Sequence, residues 1–159
     1  MIDLEEIKNQ LLSGKVVEDI FKNFDWKNFE ESVSNVFIEN DFFVRKNFRF
    51  KTKRRYEIDI VAVKSPLVIC VDCKGWASGR YKTSALRKAT SKQEERVNEF
   101  RKFVKRNPIA KEILKIKNTF SFSSLLVTLV EESLITENKT HVVPFEKLNT
   151  FLLEIERYT

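Results

Sequence analysis

Two carboxylates and one lysine stand where they could share a task. Asp59 lies in the segment Tyr56–Val63, and Asp72 and Lys74 close the mostly apolar segment Leu67–Lys74. Both segments read as β-strands, in which residues two apart point the same way. Val68, Cys70, Asp72 and Lys74 therefore share one face. Strict alternation would set Glu57, Asp59, Val61 and Val63 on one face of the other strand, and Ile58, Ile60 and Ala62 on the opposite face. Only Ser65-Pro66 separates the two segments, which predicts an antiparallel hairpin. Charges on a half-buried face are costly unless paired or bound to a metal. Two carboxylates on neighbouring strands repel each other, and a divalent cation relieves that repulsion. Mg²⁺ takes one or two protein carboxylates and completes its shell with water and phosphate oxygens. It then acidifies a bound water and stabilises charge growing on phosphorus. Lys74, on the face of Asp72, would orient the attacking water or neutralise the phosphate. This is chemistry for phosphodiester hydrolysis. The competing reading is a surface Asp72–Lys74 ion pair with Asp59 an unrelated solvated acid, since D-x-K spacing often arises by chance.

Helices must frame such a hairpin. Leu4, Ile7 and Leu11, then Val16, Val17, Ile20, Phe21 and Phe24, recur at helical spacing with Gly14 as a break. Asp25 can cap a following helix over Trp26–Asn40, whose stripe is Phe29, Val33, Val36 and Phe37. Phe42–Phe50 reads as a strand and Lys51–Arg55 as a turn. After the polar loop Gly75–Ser84, a long helix is expected over Ala85–Asn107, with Val97, Phe100 and Val104 inward and Pro108 ending it. A short helix over Ile109–Lys117 follows. Ser124–Val130 is apolar enough for a strand covered on both faces, and Pro144 suits the first turn of a last helix, Phe145–Arg157. The order of helix, three strands, helix, strand, helix predicts one α/β domain over residues 1–159. Residues 1–25 would form a helical extension and 26–159 the core around a mixed sheet.

Composition narrows the function. The 159 residues carry 42% hydrophobic and 33% charged side chains, the profile of a globular chain. No run approaches the roughly 18 apolar residues of a membrane span, and the acidic start MIDLEEIKNQ is unlike a signal peptide. A cytoplasmic protein is expected. With three glycines, Gly14, Gly75 and Gly79, neither a P-loop nor a dinucleotide-binding turn can be built. Cys70-x-x-Cys73 has the spacing of a zinc or redox pair, but strand residues three apart point to opposite faces. Only His141 remains as a further ligand, too few for a zinc site, so both cysteines read as core residues.

Net charge is +6, and its distribution says more than its sum. Phe42–Tyr56 holds Arg45, Lys46, Arg49, Lys51, Lys53, Arg54 and Arg55 with no acid; Cys73–Gln93 holds six more bases, again with none. Those thirteen of the 29 bases leave sixteen against 23 acids, so the rest of the chain sums to −7. Two concentrated basic tracts in an otherwise acidic chain point to a phosphate backbone, with an acidic protein surface as the alternative. Affinity for nucleic acid should then fall steeply with salt.

A helix bearing Phe29-Glu30, then Glu57-Ile58-Asp59-Ile60-Val61-Ala62, then Val68-Ile69-Cys70-Val71-Asp72-Cys73-Lys74-Gly75-Trp76, resembles the PD-(D/E)XK restriction-endonuclease-like superfamily. Within it the likeness is nearest to the Mrr-like endonucleases and the archaeal Holliday junction resolvases. It covers about Trp26–Phe103. The family's motifs fall on Glu30, Asp59 and Asp72-x-Lys74. Three departures stand out: Ile58 where many members carry Pro or Gly, Asp72 where Glu is commoner, and a second acid, Glu31, beside Glu30. Glu30 is preferred because it borders the stripe of Phe29, Val33 and Phe37.

The resemblance implies a restriction-endonuclease-like fold, a central mixed sheet flanked by helices, here with extra N-terminal helices. It implies a Mg²⁺- or Mn²⁺-dependent DNA endonuclease, with Glu30, Asp59 and Asp72 as metal ligands and Lys74 as the catalytic lysine. Gln93 resembles a helical residue that some members use to orient that lysine or the substrate. Arg45–Arg55, with Arg80, Tyr81 and Lys82 after the catalytic strand, would grip the nucleic acid. Trp76 would stack there or lie in the core. Structure-specific or loosely specific cleavage and a homodimer are expected. The alternatives are an inactive nucleic-acid-binding or assembly module of the same fold, or an RNA-processing nuclease.

Overall fold

The computed structural model describes residues 26–75, 83–117, 120–129 and 135–155. The expected helices within 1–25, and the candidate contacts Trp76, Arg80, Tyr81 and Lys82, lie outside the described residues. Helix α1 spans Trp26–Glu39. Strands β1 (Phe43–Lys51), β2 (Arg55–Lys64) and β3 (Leu67–Lys74) follow, then helices α2 (Thr83–Lys105) and α3 (Pro108–Ile113). Strands β4 (Ser121–Thr128), β5 (Ile135–Glu137) and β6 (Thr140–Pro144) precede helix α4 (Phe145–Leu153).

The six strands form one sheet in the order β1-β2-β3-β4-β6-β5. Pairing is antiparallel for β1/β2, β2/β3 and β5/β6, and parallel for β3/β4 and β4/β6. The expected hairpin is present: Lys64 pairs with Leu67 across Ser65-Pro66, joined by a cis peptide. The sequence reading missed the β5–β6 hairpin. Each strand is short, and Asn138-Lys139 turns between them with Asn138 at φ 56°, a conformation that asparagine tolerates. β4 starts at Ser121, three residues before the expected Ser124, because it pairs with β3 from Leu67 onward. α3 ends at Ile113, short of the expected Lys117.

Helices cover both faces of the sheet, as apolar residues on both sides of its central strands require. On one face, Phe29, Val33 and Phe37 of α1 and Leu148, Phe151 and Leu152 of α4 pack on Ile60, Ala62, Ile69, Val71, Leu125 and Val127. On the other, Val97, Phe100 and Val104 of α2, with Leu114 and Ile116, pack on Val61, Val63, Val68 and Cys70.

β2 departs from the strict alternation expected of it. Ile58 belongs to the α2-side core together with Val61 and Val63, while Ile60 and Ala62 face α1 and α4. Facing sides therefore switch between Ile58 and Ile60. β1 switches opposite this point, with Val44 against the α1 side and Phe48 and Phe50 against α2. Every residue of β2 from Arg55 to Val63 has a partner in β1 except Asp59. Opposite it, Asn47 has φ 53°. β3 pairs with β2 only from Ile60 onward, so the far half of the β1–β2 hairpin is an arm that runs beyond the rest of the sheet. Its inner face is aromatic: Phe48 and Phe50 lie 5.5 and 5.4 Å from the Phe100 ring, and Phe50 lies 5.3 Å from Phe103.

Phe100 thus ties the arm to α2. Phe100→Ala is expected to lower the unfolding free energy by about 3–5 kcal/mol, measured by urea denaturation. Ile38→Ala, at a side chain 54% exposed, should cost about 0.5 kcal/mol or less. Equal losses would contradict this packing.

Candidate active site

The switch in β2 puts Asp59 at a gap in the backbone ladders. The last β2–β3 pair on this side is Ile60↔Val71, and one further step would set Asp59 opposite Asp72. There the strands separate instead, and the Cys73 N–H donates to Asp59 Oδ2 at 3.0 Å. Asp59 thus takes up a backbone donor that the ladder leaves behind. Burial, with the nearby Asp72 and Glu30 charges, pushes its carboxyl up to about 7 despite the opposing Cys73 N–H.

Asp72 and Lys74 share the α2-side face, as the spacing predicts. Lys74 Nζ is 3.2 Å from Asp72 Oδ2. That oxygen is buried and accepts no hydrogen bond among the described residues, so the lysine sits within ion-pair range without hydrogen-bond geometry. Arg96 Nη1 of α2 approaches the same oxygen at 3.9 Å. Gln93, 1% exposed, donates through Nε2 to the Cys70 carbonyl at 3.0 Å and accepts from Arg96 Nη1 at 3.1 Å. Its described bonds thus go to β3 backbone and to Arg96, with none to Lys74. Arg96 escaped the sequence reading, although its i+3 spacing from Gln93 sets both on one helix face. Thr128 was also missed. Paired with Lys74 in register, it carries a buried hydroxyl with no hydrogen-bond partner among the described residues.

Glu30 reaches the site from α1. Burial raises its pKa, and the Glu57 and Asp72 charges raise it further against the pull of Lys46. Glu31 is exposed on the helix surface, so of the two adjacent acids Glu30 is the one oriented toward the carboxylates. Glu57 is ion-paired with Arg49 at 3.0 Å. Among the described residues, no three His, Cys, Asp or Glu side chains stand at metal-ligating spacing. Asp59 and Asp72 lie near each other, and Glu30 joins them through its charge.

The basic tract divides in two. Arg54 pairs with Glu95 at 2.6 Å, and Lys53 lies 3.6 Å from both Glu95 and Glu99. These bases fasten the tip of the arm to α2. Arg45, Lys46, Lys51 and Arg55 are exposed, and Lys51 and Arg55 sit directly opposite each other in the ladder.

Residues 25–128 match the model of the nuclease-related domain. The chain belongs to the nuclease-related domain family. That family has the PD-(D/E)XK-like nuclease fold, and the mixed sheet flanked by helices is the expected restriction-endonuclease-like core. An uncharacterized protein of Archaeoglobus fulgidus is 29% identical over 134 residues, 84% of this chain and 93% of that one. A crystal structure of a protein of unknown function is similar over 81% of this chain and 66% of its own, at 14% identity and a TM-score of 0.45. Among the described residues, no helix is long and apolar enough to cross a membrane.

The donor set of this nuclease-related domain suits a hard divalent cation. It offers two carboxylates, one with a buried oxygen lacking a hydrogen bond and the other holding its proton to about pH 7; Mg²⁺ needs no more from a protein than one or two such groups. The raised Asp59 pKa has a consequence for stability. Folded Asp59 keeps its proton to about pH 7, while the unfolded chain releases it near 3.8. The folded state is therefore favoured at low pH and loses that advantage as pH rises between these values. In EDTA, Asp59→Asn should raise Tm relative to wild type by an amount that grows from pH 4 to pH 7 and then levels off. A difference independent of pH would contradict the assignment.

Proposed function

We propose that this nuclease-related domain is a divalent-metal-dependent nuclease that hydrolyses DNA phosphodiesters. The observation that carries this reading is the half-buried Asp59 beside the buried Asp72, with Lys74 3.2 Å from the Asp72 carboxylate. Asp59 and Asp72 would hold Mg²⁺ or Mn²⁺, with Glu30 ligating through a water. The metal, when bound, acidifies a water and stabilises charge on the phosphate. Lys74 orients that water or balances the phosphate charge. The water oxygen adds to phosphorus and loses a proton to solvent, a P–O bond to the sugar breaks, and the leaving oxygen takes up a proton.

The outer face of the arm supports a nucleic-acid substrate. Like charges directly opposite each other destabilise a sheet, yet Lys51 and Arg55 stand so, where a phosphate backbone would relieve them. Loose sequence specificity or recognition of a DNA structure fits a surface that grips backbone and not base edges.

A second reading, a nucleic-acid-binding module without catalysis, is favoured by the lack of a three-carboxylate group among the described residues. One experiment separates the two. Wild type and Asp72→Ala are incubated with labelled duplex, single strand, flap, four-way junction and matching RNA, each in Mg²⁺, Mn²⁺ or EDTA. The nuclease reading predicts metal-dependent cutting of at least one DNA substrate and its loss in Asp72→Ala by at least about 100-fold. Binding without cutting, unchanged by the substitution, would leave the binding module. Preferential cutting of RNA would correct the substrate.

A further inference from the structure

Arg96 is placed as if for a ligand absent from the protein's own side chains. Its Nη1 lies 3.9 Å from Asp72 Oδ2, whereas a charge-assisted N–H···O bond closes to about 2.8 Å. What holds it there is Gln93, which is enclosed in the core and joins the Cys70 carbonyl on one side to the guanidinium on the other. An arginine serving only as counter-ion to Asp72 would close on the carboxylate and satisfy the buried oxygen that now accepts no hydrogen bond. Here a buried amide fixes it about 1 Å short of that contact.

The guanidinium carries five N–H donors, of which Gln93 engages one. The Arg96 side chain is 27% exposed, so donors remain for a molecule arriving from solvent. Lys74 and Arg96 thus flank one carboxylate oxygen from a strand and a helix. Charge balance fits the same picture. With every group ionised, Asp59 and Asp72 offset Lys74 and Arg96, and Lys46 offsets Glu30. A divalent cation then brings +2, matched by one phosphodiester and one hydroxide.

We propose that Arg96 is a second phosphate-binding cation of this site, donating to a nonbridging oxygen of the phosphate under attack, with Gln93 as the residue that positions it. The inference rests on the nuclease reading above. Arginine suits the task because its planar fork matches phosphate oxygens, which a lysine ammonium cannot do.

The test compares wild type, Arg96→Ala, Arg96→Lys and Gln93→Ala in single-turnover cleavage of the preferred DNA in Mg²⁺. Dissociation constants are measured in Ca²⁺, and Tm is recorded for each variant. Arg96→Ala is expected to slow the chemical step by about 100-fold while changing the dissociation constant by only about threefold. Arg96→Lys should recover part of the rate, and Gln93→Ala should fall between wild type and Arg96→Ala. If Arg96→Ala melts below the assay temperature, Arg96→Gln replaces it. A wild-type rate in the neutral variant, or a loss confined to binding, would overturn the role of Arg96 and leave the nuclease reading standing. Failure of wild type to cut any substrate would overturn both.

Discussion

The hydrogen bond from the Cys73 N–H to Asp59 Oδ2 is the contact on which the site depends. Both ladders of β2 let go at Asp59: Asn47 does not pair with it in β1, and β3 pairs only from Ile60 onward. A part-buried backbone donor left by such a gap gains from an acceptor, and the Asp59 carboxylate supplies one. That contact holds Asp59 against Asp72 in a poorly solvated corner, where the two negative charges oppose each other. The donor lowers the Asp59 pKa, but burial outweighs it and the net position is about 7. Lys74 and Arg96 approach Asp72, and a divalent cation would relieve the charge that Asp59 brings to the same corner.

The same gap shapes the surface. Once the facing sides switch, the outer half of the hairpin turns Phe48, Phe50, Tyr56 and Ile58 onto α2, where the Phe100 and Phe103 rings receive the phenylalanines. Lys53 and Arg54 then meet Glu95 and Glu99 and fix the tip. Exposed ion pairs of this kind contribute little stability one by one; the aromatic contacts hold the arm, and the pairs set its orientation. Lys51 and Arg55 remain on the outer side, leading along the arm toward the carboxylates. A basic tract that looks uniform in sequence thus contains fasteners and cations with no ion pair among the described residues.

What was legible in the sequence follows from periodicity. The α1 stripe, the β2–β3 hairpin and the shared face of Asp72 and Lys74 each depend on local spacing, and the structure has all three. The switch at Asp59 was not legible, because Ile58, Ile60 and Val61 are all apolar and a pattern of apolar residues does not say which face each one takes. β5 and β6 escaped because three- and five-residue strands carry too little pattern. Arg96 escaped for another reason: on a helix rich in charge, only the tertiary contact between Gln93 and β3 shows that this arginine faces inward.

The most direct measurement of the central claim is Mn²⁺ binding followed by electron paramagnetic resonance, on wild type, Asp59→Asn and Asp72→Asn near pH 8, where Asp59 is ionised. If the Asp59–Asp72 pair is a cation site, wild type takes up Mn²⁺ saturably, Mg²⁺ competes for it, and each substitution weakens binding by at least about tenfold, or 1.4 kcal/mol. Wild type that binds no Mn²⁺ saturably, or binding that survives both substitutions unchanged, would contradict the account.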